Sequence, residues 1–347
     1  MKIALDAMGG DHAPAHPVAG AIMALREFDD LHLFLVGDEA KIRAEFALHD
    51  IRGLEDRFEI RHASQVVEMS DGAIESVRRK KDSSISRSVD LVKEGVAEAV
   101  VSAGHTGAAV AAITIKLRTL PGIDRPAIAA VMPTETNLFV LIDAGANINP
   151  DPEQLVEYAI MGSVYSKVIL GFDNPRVGLM SIGTEEVKGN ELTKTAFKLL
   201  ENAPIHFAGN IEGHDLFANP VEVVVCDGFV GNVVLKTSES LANAIFAWLK
   251  HELTRSLGRM LGAWLARNAF RTIKRKTDTE EYGGALLLGV NGICVKAHGG
   301  STAKAIKNAL KAAREMIVRE VNPRIIAEIS KHHESQKAPS PSEPAAA

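Results

Sequence analysis

Five short segments combine glycine with acidic, amide or hydroxyl side chains, and each follows an apolar run with the character of a β-strand. They are DAMGGD (6–11), SAGHTG (102–107), DAGAN (143–147), GTEEVKGN (183–190) and DGFVGN (227–232). Glycine lets backbone N–H groups approach an anion closely, and the polar side chains add hydrogen bonds. Because ligands of open α/β sheets bind at the carboxyl ends of strands, these loops predict one shared polar site.

Two further segments could hold an anion. In HGGST (298–302) a glycine turn opens a helix, whose free N–H groups and dipole favour phosphate; taken alone, the motif fits an ordinary helix cap better. In KKDSS (80–84), which follows Arg78 and Arg79, cations precede two hydroxyls. Such a cluster suits phosphate or an acidic protein, and a solvated basic turn is the alternative.

The segment 250–276 is strongly basic, with eight Lys or Arg against one acid, or +7 in a chain whose net charge is −5. At about 100° per residue, an apolar helical face that includes Trp264 lies apart from a basic face that includes Arg267. A basic amphipathic helix with an aromatic anchor is typical of membrane-surface contact. A helical hairpin whose apolar face packs against a partner subunit fits the pattern equally well.

Several residues and motifs bear on the type of chemistry. Cys226 ends an apolar strand with no evident base nearby, so we expect a buried structural thiol, and Asp227 is the better functional candidate. His105 could act as a base or a hydrogen-bond donor, or be purely structural. The sequence contains no GxGxxG after a strand and no GxxxxGK[ST], HExxH or GxSxG motif. We therefore expect neither a metal nor a redox cofactor.

The elements that must position these residues alternate between strand and helix. Ten candidate strands, from 2–5 to 293–295, alternate with helical stretches such as 152–170 and 302–321. This pattern predicts an α/β fold, in three α/β/α layers around a mostly parallel sheet. The helix at 152–170 has a marked start, with Asp151 as N-cap and Pro152 at the first position. We expect one domain over 1–330, with a protruding helical segment at about 238–278, and a disordered tail over 331–347.

Composition limits the class of protein. The chain has 347 residues, of which 46% are hydrophobic and 24% charged, which excludes wholesale disorder. Its net charge of −5 argues against a nucleic-acid-binding surface. Two cysteines without a CxxC pair, an acidic residue at position 6 and no unbroken apolar run of spanning length predict a cytoplasmic protein that does not cross the membrane.

Read in order, nine segments resemble the bacterial phosphate acyltransferase (PlsX) family. They are DAMGGD (6–11), KKDSSI (80–85), VSAGHTGA (101–108), IDAGAN (142–147), IGTEEVKGNE (182–191), NIEGHD (210–215), VVCDGFVGNVVLK (224–236), EYGGALLLGVNG (281–292) and HGGST (298–302). Each segment alone is weakly specific, but together they cover about residues 1–322 in the family's order. The family is similar in fold to phosphotransacetylases and to isocitrate and isopropylmalate dehydrogenases.

The resemblance implies a reaction and its partners. Inorganic phosphate attacks the thioester of a long-chain acyl group on acyl carrier protein, giving acyl phosphate and free carrier without a cofactor. The acyl phosphate then serves phospholipid synthesis through a membrane-bound glycerol-3-phosphate acyltransferase. Members of the family are homodimers at the inner face of the cell membrane, which agrees with the amphipathic segment 250–276.

The matching motifs also imply site residues. Lys188 would neutralise phosphate or oxyanion charge, and Asp227 would orient phosphate or accept its proton. The expected phosphate and substrate contacts are Asp6, Gly9, Gly10, Asp11, Lys81, Ser83, Gly104, His105, Thr106, Gly107, Asn147, Asn190, Gly231, Asn232, His298 and Ser301. The expected contacts to carrier protein or membrane are Arg78, Arg79, Trp264, Arg267 and Arg271.

Two positions depart from the family pattern. His105 replaces an asparagine that is common in the family, but it can still donate a hydrogen bond, so we expect activity to be retained. His214 replaces an arginine, which weakens a fixed positive charge at neutral pH.

Three other functions remain open from the residues. A phosphotransacetylase-like enzyme would use coenzyme A esters of short acids and ignore carrier protein. A metal-dependent hydroxyacid dehydrogenase shares the architecture but needs a divalent ion and a dinucleotide. A peripheral membrane scaffold would bind vesicles through 250–276 without turnover.

Overall fold

A computed structural model describes residues 1–68, 70–218, 220–277 and 279–337. They form a single 11-stranded sheet covered by helices on both faces. The strands are β1 (Lys2–Asp6), β2 (His32–Gly37), β3 (Phe58–His62), β4 (Ala99–Ser102), β5 (Ala127–Pro133), β6 (Leu138–Ile142), β7 (Arg176–Met180), β8 (His206–Ile211), β9 (Val223–Val225), β10 (Ala285–Leu288) and β11 (Ile293–Lys296). The predicted three-layer α/β fold is confirmed.

The order of strands across the sheet is β3-β2-β1-β4-β11-β10-β5-β6-β9-β7-β8. Neighbours are parallel from β3 to β11 and again from β6 to β8, while β11–β10, β10–β5 and β5–β6 are antiparallel. These three antiparallel pairs make β6, β7, β8 and β9 run opposite to β1, β2, β3, β4 and β11. The sheet therefore has two parallel halves of opposite direction.

The described residues contain twelve α-helices, most of which cover the sheet. They are α1 (Ala15–Glu27), α2 (Glu39–Phe46), α3 (Ala73–Arg79), α4 (Ser84–Lys93), α5 (Thr106–Leu117), α6 (Pro152–Tyr165), α7 (Glu191–Leu200), α8 (Gly228–Leu253), α9 (Leu257–Leu265), α10 (Arg267–Thr277), α11 (Ala303–Val318) and α12 (Val321–Lys337). The predicted start of α6 is confirmed, with Asp151 as N-cap and Pro152 at the first position. A π-helical turn, Ser166–Leu170, continues α6.

Alternate residues of the strands supply two cores, one on each face of the sheet. Ile3 and Leu5 of β1 join the core beneath α1, α6, α11 and α12, whereas Ala4 joins the core beneath α4 and α5. Because both faces are covered, the central strands of the sheet are apolar at nearly every position, whereas the edge strand β3 is not. This explains why most of them could be predicted from short apolar runs.

Two expectations about the C-terminal region were wrong in part. Strand β10 was absent from the predicted strands, because four residues between glycines resemble a loop. The predicted disordered tail began at 331, yet α12 extends to Lys337, since Ile325, Ile329 and His332 form a buried face. Residues 338–347 of that tail lie outside the described part of the chain.

Candidate active site

The carboxyl ends of β1, β4 and β11 bring three polar side chains level with one another. Asp6 pairs in register with Ser102, and Ser102 pairs with Lys296. The Ser102 hydroxyl donates to Oδ2 of Asp6 at 2.7 Å. We call these three residues and the loops that follow them the first cluster, which comprises residues 6–11, 102–107 and 296–302.

Burial perturbs both charged groups of the first cluster. Asp6 is buried, which raises the pKa of its carboxyl, while hydrogen bonds from Ser84 and Ser102 oppose that rise. Burial lowers the pKa of Lys296 to about 8, and the carboxylates of Asp6 and Asp11 oppose that change. Charge is therefore costly at this point of the fold and would be stabilised by an opposite charge.

The glycines of the first cluster allow its loops to lie in contact. A Cβ at Gly9 would come within 2.7 Å of both Oδ2 of Asp6 and the backbone nitrogen of Gly104. Gly10 has a φ of 101°, which favours glycine. The Gly104 N–H donates to the Ser102 hydroxyl at 3.0 Å. These glycines therefore allow the loops of the first cluster to pack against one another.

His105 caps α5, whose first two residues are Thr106 and Gly107. Its Nδ1 accepts the N–H of Ala108 at 3.0 Å. In the neutral ring the proton then lies on Nε2, which makes His105 a donor at the helix N-terminus. Gly107 packs against the ring, where a Cβ would be 3.2 Å from its Cε1 atom.

The loop before α11 lies against the loop after β1. The Asp11 N–H donates to the Gly299 carbonyl at 2.9 Å, and Nδ1 of His16 is 2.8 Å from the Ser301 carbonyl oxygen. His298 accepts the Gly300 N–H at 3.1 Å, so that its ring stabilises the turn. Three helix starts, those of α1, α5 and α11, follow the adjacent strands β1, β4 and β11 of the first cluster.

The basic segment before α4 has a largely structural geometry. Ser83 is fully buried and caps α4 by accepting the Ser86 N–H. Lys81 and Arg78 are exposed, and Arg79 forms an ion pair with Glu75 at 2.9 Å. The cations, but not the Ser83 hydroxyl, are accessible to an outside partner.

A second cluster forms where β6 and β9 end. Asp143 is fully buried, and its carboxylate accepts backbone N–H groups of Ile128, Gly145, Ala146 and Asn147 at 2.7–3.1 Å. Burial raises the pKa of Asp143, and these N–H groups oppose the rise. Asp143 thus organises the 143–147 loop, a role that the list of expected site residues did not include.

Asp227 caps α8, which starts beside that loop. Its Oδ1 accepts the N–H groups of Phe229 and Val230, both at 2.9 Å, and Oδ2 has no hydrogen-bond partner among the described residues. A Cβ at Gly231 would be 1.9 Å from the Asp143 carbonyl oxygen, so glycine is needed for packing there. Asn232 is exposed and contacts Gly145.

Cys226 lies between these two aspartates and is buried, as predicted. Burial raises the pKa of its thiol well above the usual range, and the carboxylates of Asp227 and Asp143 add to the rise. A thiol held in this form is not a nucleophile.

The loop after β7 carries Lys188, which is exposed and has its stem next to Gly183. Asn210 holds this loop by donating to the Glu185 carbonyl at 2.9 Å. Asn190 caps α7 by accepting the Thr193 N–H at 2.9 Å. Because β7 and β9 are neighbours, the loops with Lys188 and Asp227 adjoin at one edge of the sheet.

The two clusters end strands of opposite direction. The five loops that were expected to form one shared polar site therefore follow strands of both directions. Helix α8 starts in the second cluster and carries Lys236, whose positive charge adds to the lowering of the pKa of Lys296 in the first cluster.

The helical segment predicted at 238–278 consists of the end of α8, α9 and α10, and we call its described residues, 238–277, the arm. None of them is buried, and α9 exposes Leu257, Leu261 and Trp264. The basic stretch is three helices, since turns at 254–256 and 266 interrupt it. The Arg267 guanidinium lies over the Trp264 ring, 4.7 Å from its centroid.

A groove of about 430 Å³ lies between the helices of the arm. Its lining is mostly apolar, and Lys250, Arg271 and Lys274 also line it. Within the described residues, no helix combines the length and the apolar character needed to span a bilayer. The same residues contain no group of three His, Cys, Asp or Glu side chains placed to hold a metal ion.

Comparisons with known proteins agree in the class of enzyme. The family model described as "Fatty acid synthesis protein" matches residues 1–324. A phosphate acyltransferase of Geobacter sulfurreducens is 50% identical over 94% of this chain and 93% of its own length. Another, from Pelotomaculum thermopropionicum, is 52% identical over 91% of this chain and 92% of its own.

Solved structures share the fold at low identity. A EutD phosphotransacetylase from Staphylococcus aureus aligns with a TM-score of 0.57 at 18% identity, over 95% of this chain and 94% of that one. A phosphotransacetylase from Streptococcus pyogenes aligns with a TM-score of 0.58 at 20% identity, over 91% and 94%. The family model and these relatives match over nearly the full length of the chain. The chain therefore belongs to the phosphate acyltransferase family and is an enzyme that transfers an acyl group to phosphate.

Proposed function

We propose that the acyl donor is a long-chain fatty acyl group on acyl carrier protein, and that the product is an acyl phosphate for membrane phospholipid synthesis. This proposal rests on the groove of the arm, whose lining combines apolar side chains with three cations. An acyl chain favours the apolar lining, and an acidic carrier protein favours the cations. Arg271 on the arm, with Arg78 and Arg79 on the body, would bind the carrier.

In the proposed reaction, a phosphate oxygen attacks the thioester carbonyl carbon. A carbon–oxygen bond forms, the carbon–sulfur bond breaks, and the thiolate takes a proton released by the phosphate. Lys188 is exposed beside the second cluster and would stabilise the negative charge that develops. Asp227 uses Oδ1 in the helix cap, which leaves Oδ2 to orient phosphate or accept its proton.

The loops would hold the reactants between the two clusters, along α8. On the first cluster, His105 and the free N–H groups of Thr106 and Gly107 would donate to phosphate. The loops at Gly9, Gly10, Asp11, His298 and Ser301 would shape its wall. On the second cluster, Asn147 and Asn232 would contact the acyl donor or the phosphate.

The exposed apolar surface of the arm supports two contacts. The face of α8 with Leu241, Ile245 and Trp248 would pack against a second copy in a homodimer. The face of α9 with Trp264, next to Arg267, would lie on the inner surface of the cell membrane. There the product would pass to the membrane-bound glycerol-3-phosphate acyltransferase, so the protein is proposed to be cytoplasmic and peripherally bound to the membrane.

The test is incubation with palmitoyl carrier protein and inorganic phosphate, following free thiol and acyl phosphate by mass spectrometry. Both products, in a phosphate-dependent reaction, are expected. Lys188→Ala and Asp227→Ala should each lower turnover at least tenfold in a folded protein, with Lys194→Ala as a matched surface control. Near-normal turnover of both variants would refute their roles.

A parallel incubation uses acetyl and palmitoyl esters of coenzyme A. Preference for the acetyl ester over palmitoyl carrier protein would replace the proposed donor with a phosphotransacetylase substrate. Thiol release without acyl phosphate would indicate hydrolysis of the thioester instead.

A further inference from the structure

Lys296 is a half-buried cation that the proposed reaction has not yet used, and its ammonium group donates a hydrogen bond to the Ala297 carbonyl. It ends β11, in register with Ser102 and one strand further from Asp6. Lys296 and Ser102 together line a small cavity whose other walls are mostly aliphatic. A cation in such surroundings is destabilised unless an anion accompanies it, and burial lowers the pKa of Lys296 to about 8.

The charged groups around Lys296 do not fully balance its positive charge, so a further anion would be stabilised there. Asp6 and Asp11 act on it as carboxylates, and Lys236 acts on it as a second cation. Burial raises the pKa of Asp6, which limits the negative charge that this residue supplies. Lys236 itself also pairs with Glu239 at 2.9 Å, on the exposed side of α8.

The two cations, Lys296 and Lys236, are carried by elements that belong to different clusters. Lys296 belongs to the first cluster, whereas Lys236 lies on α8, which starts at Asp227 of the second. A ligand bound by both would bridge the clusters. An ammonium group suits a phosphate dianion as a compact point charge with several donors.

We propose that Lys296 binds the inorganic phosphate that accepts the acyl group, and that Lys236 closes the same site from α8. The site rests on the proposed function, since it locates the phosphate of that reaction. A bound dianion would compensate Lys296 for its lost hydration, and Ser102 lies beside it as a hydroxyl partner. The phosphate would then lie where the two halves of the molecule meet.

Binding is measured directly, without turnover. Calorimetry with inorganic phosphate, and thermal unfolding with and without it, compare the wild type with Lys296→Met, Lys296→Arg and Lys236→Met. The control is Lys311→Met, on the exposed surface of α11, where the Lys311 ammonium lies 3.9 Å from the Glu315 carboxylate. We expect phosphate to bind at least tenfold more weakly to Lys296→Met, less weakly to Lys236→Met, and as in the wild type to the control.

The kinetic experiment separates phosphate from the acyl donor. In acyl transfer from palmitoyl carrier protein, the KM for phosphate should rise in Lys296→Met while the KM for the donor stays within twofold. A rise confined to the donor, with unchanged phosphate binding, would mean that Lys296 holds the donor's own phosphodiester, which overturns the proposal.

Two remaining outcomes are also informative. If Lys296→Met fails to fold, Lys296→Arg tests whether a cation at this position restores folding, and unchanged phosphate binding in Lys236→Met refutes the site. If the wild type forms no acyl phosphate yet binds phosphate through Lys296, the site stands and the proposed donor is wrong.

Discussion

Ser102 donates a hydrogen bond of 2.7 Å to Oδ2 of Asp6, although the two residues are 96 positions apart in sequence. The bond joins β4 to β1 where both strands end, and it is buried. The same hydroxyl accepts the Gly104 N–H, so one side chain links a strand end, a carboxylate and a loop.

Ser102→Ala should therefore destabilise the protein by about 1–3 kcal/mol, since it removes one of the hydrogen bonds to the buried Asp6 carboxylate and takes away the hydroxyl that accepts the Gly104 N–H. Urea unfolding measures the change. The control is Ser88→Ala, also buried, whose hydroxyl donates only to the Ser84 carbonyl within α4. Equal effects of the two variants would contradict the assigned role of Ser102.

Gly231→Ala should cost about 1–3 kcal/mol or more, because a Cβ would lie 1.9 Å from the Asp143 carbonyl oxygen and force α8 away from the 143–147 loop. Gly258→Ala is the matched control, since no atom lies within 4 Å of a Cβ there. In α9 this control should stabilise slightly through helix propensity. Thermal unfolding of both variants provides the comparison.

Glu157 should make stability depend on pH. Burial raises its pKa to about 7, although the Asp124 N–H donates to its carboxyl at 3.0 Å. Between pH 4.5 and 7 the folded state retains a proton that the unfolded state has lost, so stability from this group falls as pH rises through that window.

Glu157→Gln keeps an acceptor for Asp124 and removes the titration. It should flatten the pH dependence of unfolding between pH 4.5 and 7, and stabilise the protein at pH 8 by up to about 3 kcal/mol. Urea unfolding at several pH values measures this. An unchanged slope in the variant would show that other groups cause the dependence.

Leu261→Gln should weaken binding to vesicles that contain anionic lipid about tenfold, because an apolar contact with the bilayer is lost. Leu48→Gln makes the same change at an exposed leucine of the body and should leave binding unaltered. Co-sedimentation at low and high salt is the measurement. Binding that is insensitive to Leu261→Gln would remove the arm from the membrane contact.

Arg271→Glu, and separately Arg78→Glu with Arg79→Glu, should raise the KM for acyl carrier protein severalfold and leave the KM for phosphate unchanged. Arg43→Glu, on exposed α2, serves as the control for charge reversal. An effect on phosphate alone would place these arginines at the phosphate site instead of the carrier surface.

Most of the fold could be predicted because strands covered on both faces are continuous apolar runs, as in β1, β2 and β6. The start of α6 could also be predicted, from Asp151 and Pro152. Strand β10 could not be predicted, since its four residues lie between glycines. The direction of each half of the sheet was also not readable, because it depends on which strands become neighbours.

The motifs identified which segments form the candidate site, but they did not reveal the structural role of each residue. Asp227, Asn190, Ser83 and His105 were expected to meet substrate, and each caps a helix. The expectation for Ser83 conflicts with its complete burial. Lys296 was missed because its significance comes from register with Ser102 and from burial, neither of which its sequence neighbours reveal. The sequence did offer one indication, since Lys296 lies two residues before His298, which was an expected substrate contact.

Strands β10 and β11, from the last quarter of the sequence, lie between β4 and β5, so that Ala99 pairs with Ile293 and Ala127 with Leu288. During synthesis, β4 and β5 therefore each present an unpaired apolar edge until residues 285–296 have left the ribosome. Such exposed edges favour association with other chains. The two halves cannot be joined early, and a truncation before residue 285 should yield aggregation instead of a smaller enzyme.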